Sequence, residues 1–326
     1  MTTARAFWTI APGQGEIRTE PLPPPLPGQL RLTTLATGIS RGTESLVFAG
    51  HVPPSQYAVM GAPLMAGSFP FPVKYGYSAV AHDTAGQRFF VLHPHQTEFN
   101  APAAMCIPIP DAVPTPRATL AANMETALNI AWDAAPLAGE RILVVGAGIV
   151  GLLTASLLAR IPATTVTLVD IDPAKARLAA LFGARFALPA DAPSDQELII
   201  HASATESGLR TALSSAAFEA RIVEASWFGT QNPALPLGEA FHVRRLRLIS
   251  TQVGSIAPAM RGRRTYAQRL ALALDLLADP TYDALLEPPT RFETLPETMP
   301  SLLAAGPHTS GLCHVVTYGD APPCSA

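Results

Sequence analysis

The sequence predicts an α/β protein, a doubly wound parallel sheet joined to a β-rich domain whose chain departs and later returns. Three observations support this. The length of 326 residues is about twice that of a usual domain, so two hydrophobic cores are expected. Up to about Pro116 the chain shows short β-like runs broken by Gly and Pro, and after Arg117 helical and strand patterns alternate. Such alternation predicts βαβ units with helices on both faces of a parallel sheet.

The first part, residues 1–117, carries β-like runs at 30–35, 77–81 and 88–92. Prolines crowd 21–27, 94–116 and 280–300 but are absent from 137–161, so they mark the seams of the chain. Residues 118–284 form the second part. Helical patterns at 118–134, 150–160, 174–182, 208–217 and 266–278 alternate there with strand patterns at 141–145, 165–169, 197–201, 221–225 and 246–250. The last part, 285–326, holds a strand pattern at 312–318 that reads as a return to the first domain. The chain has no internal repeat.

Composition narrows the function. Only 14% of residues are charged and the formal net charge is −3, which leaves no basic footprint for nucleic acid and no cationic face for a membrane surface. No apolar run reaches the roughly 18 residues of a membrane span, and the N-terminus lacks a signal-peptide core, so a cytoplasmic protein is expected. Cys106, Cys313 and Cys324 are too far apart for a cysteine-rich zinc lobe or a disulfide framework.

The strongest motif is Arg141-Ile-Leu-Val-Val-Gly-Ala-Gly-Ile-Val-Gly-Leu, a G-x-G-x-x-G set between a strand and a helix. Gly146 permits the tight turn, Gly148 lets the backbone approach a pyrophosphate, and Gly151 lets the helix pack against the sheet. The helix opening at Ile149 and Val150 offers N–H groups and a positive dipole end to phosphates. A second strand ends in Asp170, 19 residues beyond Gly151, with Ile171 next to it in the nucleotide contact. An acid there accepts ribose hydroxyls and repels a 2′-phosphate, so NAD(H) is favoured over NADP(H). Asp172, before Pro173, reads instead as a helix N-cap. The second part is therefore expected to be a Rossmann domain.

A β-rich domain, a Rossmann domain carrying Gly146-Ala-Gly-Ile-Val-Gly and a return strand together resemble the medium-chain dehydrogenase/reductase superfamily, the zinc alcohol dehydrogenases in the broad sense. Gly38-Ile-Ser-Arg-Gly-Thr-Glu44 resembles its Gly-Ile-Cys-Gly-Thr-Asp loop, and Lys74-Tyr-Gly-Tyr-Ser78 lies where it has Gly-His-Glu. With Ala122-Asn-Met-Glu-Thr-Ala-Leu-Asn129, these segments look closest to the bacteriochlorophyllide dehydrogenase-like branch. The resemblance implies a discontinuous GroES-like catalytic domain, a small-molecule substrate and a homodimer joined near the late strand at 246–253.

The departures bear on mechanism. Where the zinc enzymes hold metal with Cys, His and a third Cys or acid, this chain has Ser40 or Arg41, Tyr77 with Ser78, and a residue near Ala122. None is a usual zinc ligand, so zinc is not expected. His93-Pro-His95 with Glu98, and Glu125, are the two constellations that could rescue a metal. His201, His308 and the other lone histidines read as structural.

Without a metal, hydrogen-bond donors must hold the charge that develops on a substrate oxygen. Tyr77 stands at the position of the lost histidine, and Lys74 could lower its pKa if the two converge. Its alternative is a packed tyrosine with a satisfied hydroxyl. Thr43 matches the family's relay hydroxyl, and Ser40 could substitute for it. Glu44 and Glu125 read either as acid or base, or as partners that order Arg41. Thr126 lies where the family contacts the nicotinamide. Phe69, Phe71, Tyr75, Tyr77, Phe89, Phe90 and Phe99 suggest an aromatic cleft between the domains and a bulky or aromatic substrate.

The expected function is zinc-independent, NAD(H)-dependent hydride transfer with a secondary alcohol or ketone. A quinone or enone reductase using NAD(P)H and a non-catalytic dinucleotide-binding protein are the alternatives.

Overall fold

The computed structural model describes residues 2–304 and 312–319. Cys324 and His308 lie outside them. The described chain divides into two units, one running to Ala122 and resuming at Leu270, the other spanning Asn123–Arg269. The second unit is thus shorter at both ends than the expected 118–284.

The first unit begins with β1 (Thr3–Ala11), β2 (Gln14–Pro21) and β3 (Gln29–Ile39), followed by α1 (Arg41–Ala49). Short strands follow: β4 (Ala66–Gly67), β5 (Val73–Lys74), β6 (Ala79–His82), β7 (Arg88–Val91), β8 (Glu98–Pro102) and β9 (Ile107–Pro108). A helical turn, α2 (Thr115–Ala118), leads to α3 (Ala121–Ala134). Helix α1 was not legible in the sequence. Glu44 allows it by reaching back to accept the Ser40 amide at 2.7 Å, which satisfies a donor at the helix entrance.

Six strands build the second unit's sheet: β10 (Arg141–Val145), β11 (Thr165–Val169), β12 (Arg185–Ala187), β13 (Gln196–His201), β14 (Ala216–Glu224) and β15 (Arg247–Ser250). They stand in the order β12-β11-β10-β13-β14-β15 and all pair in parallel. The order reverses between β10 and β13, which is where a doubly wound sheet opens its ligand crevice beyond the strand C-termini. Helices α4 (Ile149–Leu158), α5 (Ala176–Leu181) and α6 (Glu206–Ser215) link these strands. Leu143, Val145, Val169, Ile199 and Ile222 pack with Leu209 and Leu213 of α6 in one core. Two expectations shift here: α6 ends at Ser215 rather than 217, and β14 starts at Ala216 rather than 221, because the extended Ala216 breaks the helix.

Helix α7 (Tyr266–Leu276) then leads to β16 (Leu286–Arg291), α8 (Leu295–Leu303) and β17 (Cys313–Thr317). Strand β17 pairs antiparallel with β3, so the chain end returns to the first unit. Phe7, Ile39, Phe48, Phe292, Leu295 and Val316 form the core there. Phe89, Phe90 and Phe99, expected to line a cleft, are instead buried in the sheet interior. Among the described residues no helix is long and apolar enough to cross a membrane.

Candidate functional site

The glycine turn follows β10 directly. Gly146 has φ +106°, a conformation that L side chains rarely adopt, and a Cβ there would stand 2.8 Å from the backbone of Ala202 and Ser203. A Cβ on Gly151 would stand 1.8 Å from the Gly146 carbonyl oxygen, so only glycine lets α4 sit this close to the turn. Gly148 differs from both: it is exposed, and a Cβ on it would meet nothing within 4 Å. The open side of the turn is therefore at Gly148, with the first amides of α4 at Ile149 and Val150 beside it, and these lack intrahelical acceptors.

Asp170 follows β11. Its Oδ2 accepts the Ala147 amide at 2.6 Å and its Oδ1 the Asp172 amide at 2.9 Å. The carboxylate is thus fixed against the glycine turn. Ile171 is exposed beside it. Asp172 caps the next helical turn by accepting from Ala174 at 3.0 Å, as the sequence implied. Open backbone at Gly148, donor amides at α4 and an oriented acid fit a dinucleotide, so these residues could hold one.

In the first unit the junction of β3 with the first turn of α1 and the segment before β6 bring Tyr77, Ser40 and Thr43 together. The Tyr77 phenol donates to Ser40 Oγ at 2.6 Å, and its side chain also hydrogen-bonds Thr43. Burial pushes the phenol pKa up to about 12, against the lowering effect of those two hydroxyls, and the Glu44 carboxylate adds to the rise. Tyr77 is therefore a neutral donor at physiological pH.

Two expectations are corrected. Lys74 does not activate Tyr77: its ammonium donates to Glu20 at 2.7 Å and to Gln96 at 2.8 Å. Glu44 is buried and accepts the Ser40 amide, and its Oε2 lies 3.0 Å from His95 Nε2. Glu125 also has another partner, for Arg269 donates to it at 3.0 Å deep in the second unit. Burial raises the Glu125 pKa, opposed by the Arg269 charge and hydrogen bond. Arg269 further donates to Asn129 Oδ1 at 2.6 Å, so the group ties α3 to α7. Thr126 lies on α3, partly exposed.

The histidine pair does not converge on a metal. His93 stacks on Phe99 with ring centroids 3.7 Å apart and bonds the Pro94 carbonyl at 2.9 Å. His95 points to Glu44 and, through Nδ1, to Thr37 Oγ1 at 2.6 Å. Glu98 lies 3.9 Å from Arg31. Among the described residues no three His, Cys, Asp or Glu side chains group as metal ligands.

Sequence reasoning considered His95 only as a possible metal ligand and missed its contact with Glu44, which spans 51 positions and has no local signal. It also missed His201, at the end of β13. That ring binds Glu224 and Ser203, each at 2.7 Å.

The match to known structures covers nearly the whole chain. A protein described as a zinc-binding dehydrogenase from Sinorhizobium meliloti 1021, bound to NADP, superposes with TM-score 0.77 at 18% identity over 97% of this chain and 100% of that one. The two chains therefore share one fold. An alcohol dehydrogenase of Escherichia coli CFT073 complexed with NADH shares it at TM-score 0.77 and 17% identity, over 97% and 100% of the two chains. So does acetophenone reductase of Geotrichum candidum in complex with NAD, at 0.75 and 15%, over 97% of each chain. No protein-family model and no curated protein matches the sequence. In this chain the glycine turn closes the first βα unit of the six-stranded parallel sheet.

Proposed function

We propose that this chain is a nicotinamide-dinucleotide-dependent oxidoreductase that interconverts a secondary alcohol and a ketone without zinc, preferring NAD(H) to NADP(H). The observation that carries the reading is the hydrogen-bonded pair of Tyr77 and Ser40 at positions where the zinc enzymes resemble this loop but place metal ligands. The fold shared with dehydrogenases solved with NADP, NADH and NAD supports the cofactor class. The acid at Asp170 supports the preference.

When bound, the nicotinamide supplies the hydride. The chain must orient the substrate and hold its oxygen. Tyr77 now donates to Ser40, and reversing that single bond, so that Ser40 donates to Tyr77, releases the phenol proton toward a substrate oxygen. Thr43 gives the phenol a second hydroxyl partner. Glu44, held by His95, fixes the Ser40 backbone and acts as a positioning residue.

Aromatic rings favour a bulky or aromatic substrate. Tyr57, Phe69, Tyr75 and Tyr77 follow one another with centroids 5.6, 5.7 and 6.0 Å apart, so the donor phenol ends an aromatic row. We also take the chain to pair with a second copy of itself along β15, the outer strand of its sheet, where Leu248 is exposed.

The test is turnover by protein stripped with a chelator and checked for metal content, using NADH and a panel of aromatic ketones. Reduction that added zinc does not increase supports the reading. Reduction that appears only with zinc overturns its metal-free part.

A further inference from the structure

We infer that the exposed turn Arg261-Gly-Arg-Arg264, with the ring of Tyr266 two residues on, binds a phosphate ester carried on an aromatic group. The site lies wholly within the second unit. It is separate from the glycine turn and does not depend on the dinucleotide reading.

Charge is the first argument. Between Glu239 and Asp275 the chain has no Asp or Glu yet carries seven of its 22 Lys and Arg residues, a local excess that the net charge of −3 hides. Two of the seven have acidic partners within the unit: Arg269 pairs with Glu125 at 3.0 Å and Arg245 with Glu219 at 3.1 Å. Arg261, Arg263 and Arg264 are exposed, and among the described residues none of them pairs with an acid. Their one side-chain hydrogen bond among those residues, from Arg264 Nη1 to the Arg263 carbonyl at 3.4 Å, stays inside the turn. Like charges this close repel one another. An anion bridging them relieves a cost that the folded chain already carries.

The backbone of the turn is the second argument. A single helical turn, Pro258–Met260, precedes the arginines. The Arg261 amide donates to the Ala257 carbonyl at 3.1 Å, and the amides of Arg263 and Arg264 donate to the Met260 carbonyl at 3.0 and 3.1 Å. Gly262 makes the reversal at φ +78°, in the left-handed region that favours glycine. On the far side the Thr265 amide donates to Gln268 Oε1 at 3.0 Å and the Gln268 amide to Thr265 Oγ1 at 3.2 Å, a capping box that opens α7. The turn is thus pinned at both ends, so the roots of the three side chains are set before a ligand arrives. Its four residues span at most roughly 10 Å. That is the scale of one phosphate or diphosphate group rather than the repeating backbone of a nucleic acid.

Guanidinium forks match phosphate oxygens bidentately and with charge assistance. Arginines alone would take any small oxyanion, and Tyr266 narrows the choice. Its ring is 55% exposed although its hydroxyl donates to the Gly254 carbonyl at 2.9 Å and the Arg269 guanidinium stands 5.4 Å from its centroid. An exposed ring anchored in this way is a stacking platform for an aromatic carrier. Position separates the site from the cofactor. The glycine turn and Asp170 follow β10 and β11, whereas the arginines follow β15, which stands three strands from β10, or roughly 14 Å across the sheet. A dinucleotide's diphosphate is accounted for at Gly148, so the phosphate at the arginine turn belongs to a second molecule.

The test titrates the full-length chain calorimetrically with phenyl phosphate and with inorganic phosphate, each with and without saturating NADH. Phenyl phosphate is expected to bind about fivefold tighter than inorganic phosphate, the effect of one stacked ring, and NADH should leave both affinities unchanged. The triple variant Arg261→Gln, Arg263→Gln, Arg264→Gln changes only exposed positions, so its fold should persist. It should bind phenyl phosphate at least about tenfold more weakly and NADH as wild type does. Arg177→Gln with Arg185→Gln, which removes two exposed arginines elsewhere on the same unit, should leave phenyl phosphate affinity unchanged. No binding to wild type, equal affinity for the two probes, equal losses in the two arginine variants, or displacement of the probe by NADH each overturns the site. If wild type binds phenyl phosphate as expected but not NADH, the dinucleotide reading falls and the arginine site stands.

Discussion

The carboxylate of Asp170 accepts the amide hydrogen of Ala147 at 2.6 Å, so the acid at the end of one strand closes the glycine turn at the end of its neighbour. Two residues 23 positions apart in the chain thus form one structural unit. The acid is oriented before any ligand arrives, which reduces what binding must order.

The last two glycines of that turn separate packing from binding. Gly148→Ala places a methyl in open space at φ −70°, which alanine adopts freely. Its melting temperature should match wild type, while NADH affinity falls at least about tenfold because the methyl blocks the backbone approach. Gly151→Ala collides with the Gly146 carbonyl and should lose about 1–3 kcal/mol of stability or more. Thermal unfolding and fluorescence titration of both variants check this, and the reverse pattern would contradict it.

Tyr77→Phe should lower kcat about 10²- to 10³-fold, as removal of an oxyanion donor does, with little change in fold. The pH dependence has a defined sign. An unfolded tyrosine ionises near 10, whereas the native phenol is raised to about 12 by burial. Its contribution to stability is therefore complete below pH 10 and is lost as pH rises toward 12. The pH–rate profile should show no ionisation of Tyr77 between pH 7 and 10. An inflection in that range that vanishes in Tyr77→Phe would contradict a neutral donor.

Glu125 and Arg269 should behave as a structural pair. Arg269→Leu leaves a buried carboxylate without its cation and should cost about 3–5 kcal/mol. Glu125→Gln should lower stability in denaturant titration and change kcat by no more than a few-fold. A large loss of kcat at unchanged stability would return Glu125 to the role of acid or base.

His93 should contribute acid sensitivity. Its burial against Phe99 lowers its pKa to about 3, so the native ring stays neutral while an unfolded histidine protonates near 6.5. Its contribution to stability is present above pH 6.5 and is lost as pH falls toward 3, by about 1.4 kcal/mol per pH unit. Denaturant titrations of wild type and His93→Gln between pH 6 and 4 should differ by that slope. Equal slopes would contradict it.

How much was legible in the sequence follows from the distance over which each residue acts. Gly146, Gly148 and Gly151 act within one turn, and β10 and β11 match their expected bounds because each is a continuous apolar run between breakers. Asp172 was likewise readable as a cap from Pro173 alone. Helix α1 was hidden because Gly42 and Thr43 are poor helix formers, and the contact that supports it is a side chain folded back on Ser40. The partners of Lys74, Glu44, Glu125 and His201 were hidden for a related reason. Each is a long-range pair chosen by tertiary packing, as with Arg269 and Glu125, 144 positions apart. The aromatic count misled in part, because Phe89, Phe90 and Phe99 are all buried.

The most direct test of the account is a fluorescence titration of chelator-treated protein with NADH and with NADPH, in wild type and in Asp170→Ala. Saturable NADH binding that is tighter than NADPH in wild type, with the preference lost in Asp170→Ala, is the predicted result. Failure of wild type to bind either nucleotide would reduce the glycine turn to a packing device and contradict the central claim.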